Sequence, residues 1–183
     1  MHPTLVIRNV QLSDIPALSE FAMKTYSDAF GHSLSPEDLA EHLRKHLSPN
    51  SFQLIFAEDT VLLAEVDNRL IGYAQFGAST LSRNHPTDQD LRRLYVHPEY
   101  QNEGYGSALM EATLCHPQMK AAASIFLDVW EHNPAAQRFY RRHGFEVIGE
   151  HAFEVESGAP TSRDLIMARR QAPVDDTHHT PGD

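Results

Sequence analysis

The chain has 183 residues, of which 41% are hydrophobic and 22% are charged, and its formal net charge is −10. This size and composition predict one globular domain, and the acidic balance argues against non-specific binding of nucleic acids. No apolar run is long enough to span a membrane, and the N-terminal residues do not resemble a signal peptide. The only cysteine, Cys115, cannot form an internal disulfide, so a reducing cytoplasm is the expected location.

The first third of the chain reads as a short strand followed by helices. Residues 5–9 are predicted to form the strand, and Ser13 and Asp14 offer an N-cap to the amphipathic helix that follows. Ser35 is a stronger helix start, because a proline occupies the first helical position after it and acidic residues fill the first turn. Residues 51–58 fit either a short helix or a strand, and we favour the helix.

The rest of the chain alternates strands with helices. Asp67 and Asn68 predict a two-residue hairpin turn, and Asn133 and Gly144 mark the start and the stop of a late helix. The predicted elements are, in order, strands over 61–66, 69–76 and 91–96, a helix over 104–114, a strand over 125–129, a helix over 134–143, and strands over 145–153 and 164–168. This order predicts a mixed sheet with helices packed on its faces.

The turn after the strand 91–96 reads QNEGYG and passes directly into a helix. Gly104 and Gly106 would allow backbone N–H groups at the helix N-terminus to converge on an anion such as a diphosphate. The turn is not a Walker loop, because no lysine follows Gly106, and it is not a dinucleotide fingerprint, because Leu109 stands where the third glycine belongs. The residues alone leave a second possibility open, namely that the glycines only form a tight connection.

Two segments resemble the central motifs of the GCN5-related N-acetyltransferases, the GNAT family. In LRRLYVHPEYQNEGYGSALM, the residues Gln101, Gly104 and Gly106 match the pattern R/Q-x-x-G-x-G/A between a strand and a helix. The segment NPAAQRFYRRHGFEVIGE matches a second motif, a helix that begins at asparagine, ends in F-Y and is followed by G-F. The matching residues of this second motif are Asn133, Phe139, Tyr140, Gly144 and Phe145.

The resemblance is strong over 91–149 and implies a fold. It implies a single-domain α/β (α+β) protein with a mixed, mostly antiparallel central sheet that is splayed in the middle and carries helices on both faces. We expect the N-acetyltransferase domain to occupy 1–170. The tail over 171–183 is polar and non-periodic, and we expect it to be disordered.

The resemblance also implies acetyl-coenzyme A as the acetyl donor, with no metal. Asn133 would contact its pantetheine arm or thiol end. Glu103 departs from the family pattern, because it places a negative charge where many relatives have a basic or small residue. The residues implied to bind the coenzyme through their backbone are Leu94, Tyr95 and Val96 for the pantetheine and thioester, and Gln101, Asn102, Glu103, Gly104, Tyr105, Gly106 and Ser107 for the pyrophosphate.

Tyr140 is implied to be the general acid that protonates the departing thiolate. Without the family pattern, the same tyrosine reads as an aromatic residue on the core face of a helix. Asp90, Asp128 and Glu131 are candidates for the group that takes the proton of the incoming amine, and none of them is assigned. An acyl-enzyme at Cys115 is disfavoured, because no base partner is evident.

The acceptor is the least determined part. The segment from Leu127 to Met167 resembles bacterial polyamine acetyltransferases that act on spermidine and spermine, and Trp130 and Glu131 are the predicted substrate-binding residues. Trp130 could hold a cation against its ring or simply pack in the core. A peptide or protein amine is the alternative acceptor, and a coenzyme-binding module without turnover is the alternative function. Relatives are often dimers, so a homodimer is a further expectation.

Overall fold

The computed structural model describes residues 4–82, 84–154 and 160–171, and its strands form one sheet of seven. The strands are β1 (Leu5–Asn9), β2 (Thr60–Val66), β3 (Arg69–Ala78), β4 (Gln89–Val96), β5 (Ser124–Trp130), β6 (Glu146–Glu154) and β7 (Pro160–Arg170). Their order in the sheet is β1-β2-β3-β4-β5-β7-β6. Every neighbouring pair is antiparallel except β4 and β5, which are parallel. The predicted mixed, mostly antiparallel sheet is confirmed.

The helices in the described part of the chain are α1 (Ile15–Phe30), α2 (Pro36–His46), α3 (Pro49–Glu58), α4 (Tyr105–Cys115), α5 (Pro117–Lys120) and α6 (Pro134–Arg142). The sequence pattern predicts all of them except the short α5. None of the helices within the described ranges is long and apolar enough to cross a membrane. The expected tail lies outside the described residues after Gln171.

The helix starts follow local caps with one exception. The Ser35 hydroxyl accepts a hydrogen bond from the Asp38 N–H (3.0 Å), as predicted for α2, and α3 contains 51–58, as favoured. Asp14 is the N-cap residue of α1, as predicted, but its side chain makes no cap hydrogen bond to the helix. Its carboxylate instead accepts hydrogen bonds from the Arg8 guanidinium (2.7 Å) and from the Gln11 N–H (2.7 Å).

The helices lie on both faces of the sheet, as expected. On one face, α1 and α3 contribute Leu18 and Phe52 to a core that includes Leu63 of β2. On the opposite face, α4 contributes Leu109 to a second core that includes Leu62 of β2. Neighbouring residues of β2 thus point to opposite faces, as the strand period requires. We call these two sides the α1 face and the α4 face.

The sheet opens between β4 and β5. Their register contains two pairs among the described residues, Gln89 with Ile125 and Asp90 with Phe126, both at the N-terminal ends of the strands. Beyond these pairs, β4 stays paired with β3 and β5 stays paired with β7, so the two strands separate. We call the opening between 91–96 and β5 the splay. It joins the α1 face to the α4 face and confirms the splayed sheet that the resemblance implies.

Candidate functional site

The turn that follows β4 presents a row of open backbone amides, which we call the amide nest. Gly104 has φ of 90° and occupies the N-cap of α4, and Asn102 has φ of 64°. Within the described residues, no protein atom accepts a hydrogen bond from the N–H groups of 102–107. Such amides at the start of an eleven-residue helix favour an anion. The Glu103 side chain is exposed to solvent, where its charge is screened.

Gln101 does not belong to the amide nest. Its N–H donates to the Pro98 carbonyl (3.2 Å) in the short 3₁₀ turn that precedes it, so this amide is not free to bind an anion. This corrects the expectation for the backbone of Gln101. Its side chain instead donates through Nε2 to the Val96 carbonyl oxygen (3.0 Å) and ties the turn to the end of β4.

Two strand amides face the splay. The His97 N–H donates to the Ile71 carbonyl (2.8 Å), and Val96 lies opposite Gly72 in the register. Because bonded and non-bonded pairs alternate along an antiparallel ladder, the N–H of Val96 points away from β3 and into the splay. The same alternation directs the Leu94 N–H to the splay. These are donors to which an extended ligand can pair as an added strand.

Tyr95 contributes differently from the expectation. The alternation that turns Leu94 and Val96 to the splay commits the Tyr95 backbone to Tyr73 in β3. Its side chain extends on the α1 face, where the Tyr95 ring lines a cavity described below. This corrects the expectation that the Tyr95 backbone contacts the coenzyme. Tyr95 contributes its side chain instead, on the opposite side of the splay.

Tyr140 projects from α6 on the α4 face, beside the splay. Its ring contacts Phe139 and Phe145, and no described residue accepts a hydrogen bond from its hydroxyl. Burial raises the pKa of Tyr140 above its ordinary value, and the charges of Tyr95 and Asp128 act in the same direction. The hydroxyl therefore keeps its proton at neutral pH, as a proton donor must.

Asn133 positions the helix that carries Tyr140. Its Oδ1 accepts a hydrogen bond from the Ala136 N–H (3.0 Å), so this oxygen caps α6. Gly144, with φ of 84°, ends the helix. The Asn133 side chain also lines the cavity on the α1 face. Asn133, the asparagine of the second motif, thus has a structural role as the N-cap of α6.

A cavity of about 350 Å³ lies on the α1 face at the splay. Trp130 forms part of its wall and contacts Phe30 at a ring-centroid distance of 6.1 Å, so it is not a core residue. The aromatic lining consists of Tyr26, Phe30, Tyr95 and Trp130, with His42 and His132, and the charged lining consists of Arg92, Arg93, Asp128 and Asp164. Aromatic faces and carboxylates together favour an organic cation.

Two of the predicted acidic candidates are engaged elsewhere. The Asp90 carboxylate is buried and accepts hydrogen bonds from the Ser79 hydroxyl (2.5 Å) and the Thr80 N–H (2.6 Å), which fixes the loop before β4. Glu131 accepts a hydrogen bond from the Arg163 N–H (2.8 Å) and does not line the cavity. The predicted substrate contact by Glu131 therefore has no support in this geometry, whereas Asp128 faces the cavity.

Sequence reasoning missed the partners of Asp128. His151 Nε2 lies 3.6 Å from Asp128 Oδ2 and 3.8 Å from Asp164 Oδ2. The three residues come from β5, β6 and β7, which are neighbours in the sheet, and β7 lies between the other two. Only the strand order could have joined them, since no local motif does. We call these three residues the acid–histidine cluster.

Burial governs the charge of the acid–histidine cluster. It raises the pKa of Asp164 to about 6, helped by the nearby Asp128 carboxylate and opposed by His151. Burial also raises the pKa of Asp128, and His151 again lowers it. The Asp164 side chain is 13% exposed and the Asp128 side chain 40% exposed, so Asp128 is the carboxylate that an incoming molecule meets first.

Comparison with known proteins agrees with this arrangement. A family model described as an acetyltransferase (GNAT) domain matches residues 57–147. An uncharacterised N-acetyltransferase of Mycobacterium tuberculosis (strain ATCC 25618 / H37Rv) is 31% identical over 160 residues, which are 86% of this chain and 98% of the relative. The chain therefore belongs to the GNAT family of N-acetyltransferases.

Two further likenesses concern a characterised relative and a solved structure. The spermine/spermidine N(1)-acetyltransferase of Bacillus subtilis (strain 168) is 26% identical over 144 residues, covering 68% of this chain and 91% of the relative. The crystal structure of the PaiA N-acetyltransferase from Thermoplasma acidophilum, in complex with coenzyme A, matches with a TM-score of 0.73 at 21% identity, over 92% of this chain and 99% of that chain. As a GNAT member, this protein is an acyltransferase that takes its acetyl group from acetyl-coenzyme A.

The raised pKa of Asp164 predicts a stability change that depends on pH. Because the folded-state pKa of about 6 exceeds the ordinary 3.8, the favourable contribution of the protonated carboxyl is complete below about pH 4 and is lost as pH rises through 6. We expect Asp164→Asn to raise the free energy of unfolding by about 1–3 kcal/mol at about pH 8 and to change it little at about pH 4. Urea unfolding at both pH values measures this.

The control for this experiment is Glu150→Gln, which removes an exposed carboxylate paired with Arg163 on the surface. Exposed pairs contribute little, so we expect a small effect at either pH. Equal changes for Asp164→Asn at the two pH values would contradict the assignment.

Proposed function

We propose that this N-acetyltransferase moves the acetyl group directly from acetyl-coenzyme A to the amine of a small organic cation, with a polyamine as the best-supported acceptor. The observation that carries the proposal is the cavity on the α1 face, where the carboxylates of Asp128 and Asp164 lie among aromatic rings. A cation over the face of an aromatic ring gains about 0.5–2 kcal/mol. The 26% identity to the Bacillus subtilis spermine/spermidine N(1)-acetyltransferase supports the same acceptor class.

The α4 face fits the acetyl donor. The amides of the amide nest match a diphosphate in charge and in number of donors, so no lysine is needed. The Leu94 and Val96 amides that face the splay would pair with the pantetheine arm. The Val96 N–H would donate to the thioester carbonyl oxygen, where negative charge develops during acyl transfer.

Tyr140 is the proposed general acid. It lies on the α4 face beside the splay, its hydroxyl is free among the described residues, and its pKa is raised by burial. The amine nitrogen forms a bond to the acetyl carbon, the carbon–sulfur bond breaks, and Tyr140 gives its proton to the leaving sulfur. Tyr140 regains a proton from the acylated nitrogen. Cys115 lies at the opposite end of α4 from the amide nest, which supports direct transfer.

A peptide or protein amine is the second candidate acceptor. A second cavity, of about 450 Å³, lies beside the first on the α1 face. The two cavities share Arg92, Arg93 and Asp128 in their walls, which gives room for an acceptor longer than a small amine. Besides the arginines that both cavities share, the lining of the second cavity includes Lys45, which suits a polyamine less well than a peptide.

The amide nest predicts that Gly104→Ala weakens the binding of acetyl-coenzyme A. A side chain on a residue with φ of 90° destabilises that backbone conformation by about 1 kcal/mol. It therefore favours other conformations, in which the amides no longer converge on the anion. We expect affinity to fall about 10-fold, as calorimetry would measure, together with the stability loss. Gly144→Ala is the matched control, because φ is 84° there but the residue lies at the end of α6. Gly144→Ala should lose similar stability and keep its affinity for acetyl-coenzyme A. Equal affinities of the two variants would refute the assignment of the amide nest to the coenzyme.

Removal of the Tyr140 hydroxyl should slow turnover without loss of the coenzyme. We expect Tyr140→Phe to lower kcat at least about 10-fold, because general acid catalysis is worth about 10²–10⁴-fold, while calorimetry shows unchanged affinity for acetyl-coenzyme A. Tyr73→Phe is the control, since the Tyr73 hydroxyl is buried without a partner among the described residues and does not line the cavity. Unchanged turnover in Tyr140→Phe would remove the assignment.

A comparison of acetylation rates for spermidine and for peptides distinguishes the two acceptor classes. We expect spermidine to be acetylated with a higher kcat/KM than peptides bearing a free N-terminus or a lysine, because the first cavity offers carboxylates and aromatic faces to a compact cation. Release of free coenzyme A, followed with a thiol reagent, measures each rate. A peptide that outperforms spermidine would reverse the order of the two acceptors.

A further inference from the structure

His151 connects the cavity to the solvent. It is 39% exposed, its Nε2 lies within ion-pair distance of both Asp128 and Asp164, and it belongs to β6, the last strand of the sheet. The Asp128 carboxylate faces the cavity in which the acceptor is proposed to bind. The acid–histidine cluster therefore forms a continuous path of exchangeable protons from the cavity to the surface of the protein.

We propose that Asp128 accepts the proton that an acceptor ammonium must lose before it attacks, that His151 passes this proton to the solvent, and that Asp164 positions His151. The inference rests on the proposed function and deepens it, since it assigns the base of that reaction. Imidazole can accept a proton at one ring nitrogen and release one from the other, and it exchanges protons with water near neutral pH. The 3.6 Å between His151 Nε2 and Asp128 Oδ2 is longer than a hydrogen bond, so we assign the transfer to one water that bridges the two groups.

The proton balance of the reaction requires such a path. An alkylammonium carries one proton more than the attacking amine, because a free amine is mostly charged at neutral pH. The amide nitrogen of the product is neutral, and the thiolate receives one proton through Tyr140. Conversion of ammonium and thioester to amide and thiol therefore releases one net proton. Tyr140 gives and regains its proton within each cycle, so the net proton leaves by another group, which we assign to Asp128 and His151.

The other acids near the splay are less suitable. Asp90 is 2% exposed, accepts hydrogen bonds from Ser79, Thr80 and Arg92, and does not line the first cavity. Glu131 is tied to β7 through the Arg163 amide. Asp128 alone among the three acidic candidates from the sequence faces the cavity and contacts a residue that reaches the solvent.

The surroundings of the acid–histidine cluster supply both signs of charge. The carboxylates of Asp128 and Asp164 both lie near Nε2 of His151, with oxygens 3.6 Å and 3.8 Å away. The titratable and charged groups that face the cluster are Tyr26 from α1, His42 from α2, Asp90, Arg92, Arg93 and Tyr95 from β4, Glu131 and His132 after β5, and Tyr140 from α6.

The test is the pH dependence of acetyl transfer to spermidine, or to the peptide amine if that is the better acceptor. We expect Asp128→Asn to lower kcat/KM about 100-fold and His151→Gln about 10-fold near neutral pH, because general base catalysis is worth about 10²–10⁴-fold. Both deficits should shrink as pH rises, since more of the amine is then neutral. The affinity for acetyl-coenzyme A, measured by calorimetry, should not change.

Two controls separate the relay from a structural role. Glu150→Gln changes the residue next to His151 on β6 and should keep both the rate and the pH profile of the unchanged protein. His151→Ala should regain at least about a third of the lost rate when free imidazole is added, because imidazole can take the same proton. Absence of rescue, together with a pH profile like that of the unchanged protein, would overturn the proposal.

The outcomes for the relay and for the proposed function differ. If the unchanged protein acetylates neither spermidine nor any peptide, both fail. If it acetylates one of them and the Asp128 and His151 variants follow its pH profile, the relay fails and the proposed function stands. A loss of rate in Asp128→Asn that is the same at every pH would assign this residue to acceptor binding and would also overturn the relay.

Discussion

Backbone N–H groups without a protein partner are the constraint on which this structure depends. A sheet normally satisfies these donors within itself, and buried donors that stay unpaired cost about 1–3 kcal/mol each. Here the separation of β4 from β5 leaves the Leu94 and Val96 amides open, and the turn into α4 leaves a further row of them. The fold tolerates these donors because they border solvent, and they are the donors that we propose for acetyl-coenzyme A.

The α4 face offers mainly backbone groups to a ligand, whereas the α1 face offers mainly side chains. In the proposed function, recognition of the donor relies on the backbone of β4 and of the amide nest, which side-chain changes affect little. Recognition of the proposed acceptor relies on side chains, among them Trp130, Asp128 and Asp164, which substitution alters freely. A family that shares one acetyl donor can therefore diversify its acceptors while the α4 face stays the same.

Features that depend on residues close together in the sequence were predicted better than contacts between residues far apart in it. The cap at Ser35 depends on residues three positions away, so the sequence was sufficient to place α2. The Asp14 side chain does not cap α1, and its carboxylate binds Arg8 of the preceding strand instead. The residues proposed to bind the donor lie in two contiguous motifs, and among them the backbone N–H groups of Gln101 and Tyr95 are committed to the protein itself. His151 was missed, because its relation to Asp128 arises only when β7 enters the sheet between their strands.

That insertion has a consequence for the order in which the protein is built. The central gap between β5 and β6 is filled by β7, the last strand to leave the ribosome, and this strand also carries Asp164. A nascent chain that has emerged only as far as α6 already holds every residue of the amide nest but lacks His151 and Asp164, two of the three residues of the acid–histidine cluster. The residues proposed to bind the coenzyme are thus synthesised before the cluster proposed to serve the acceptor is complete.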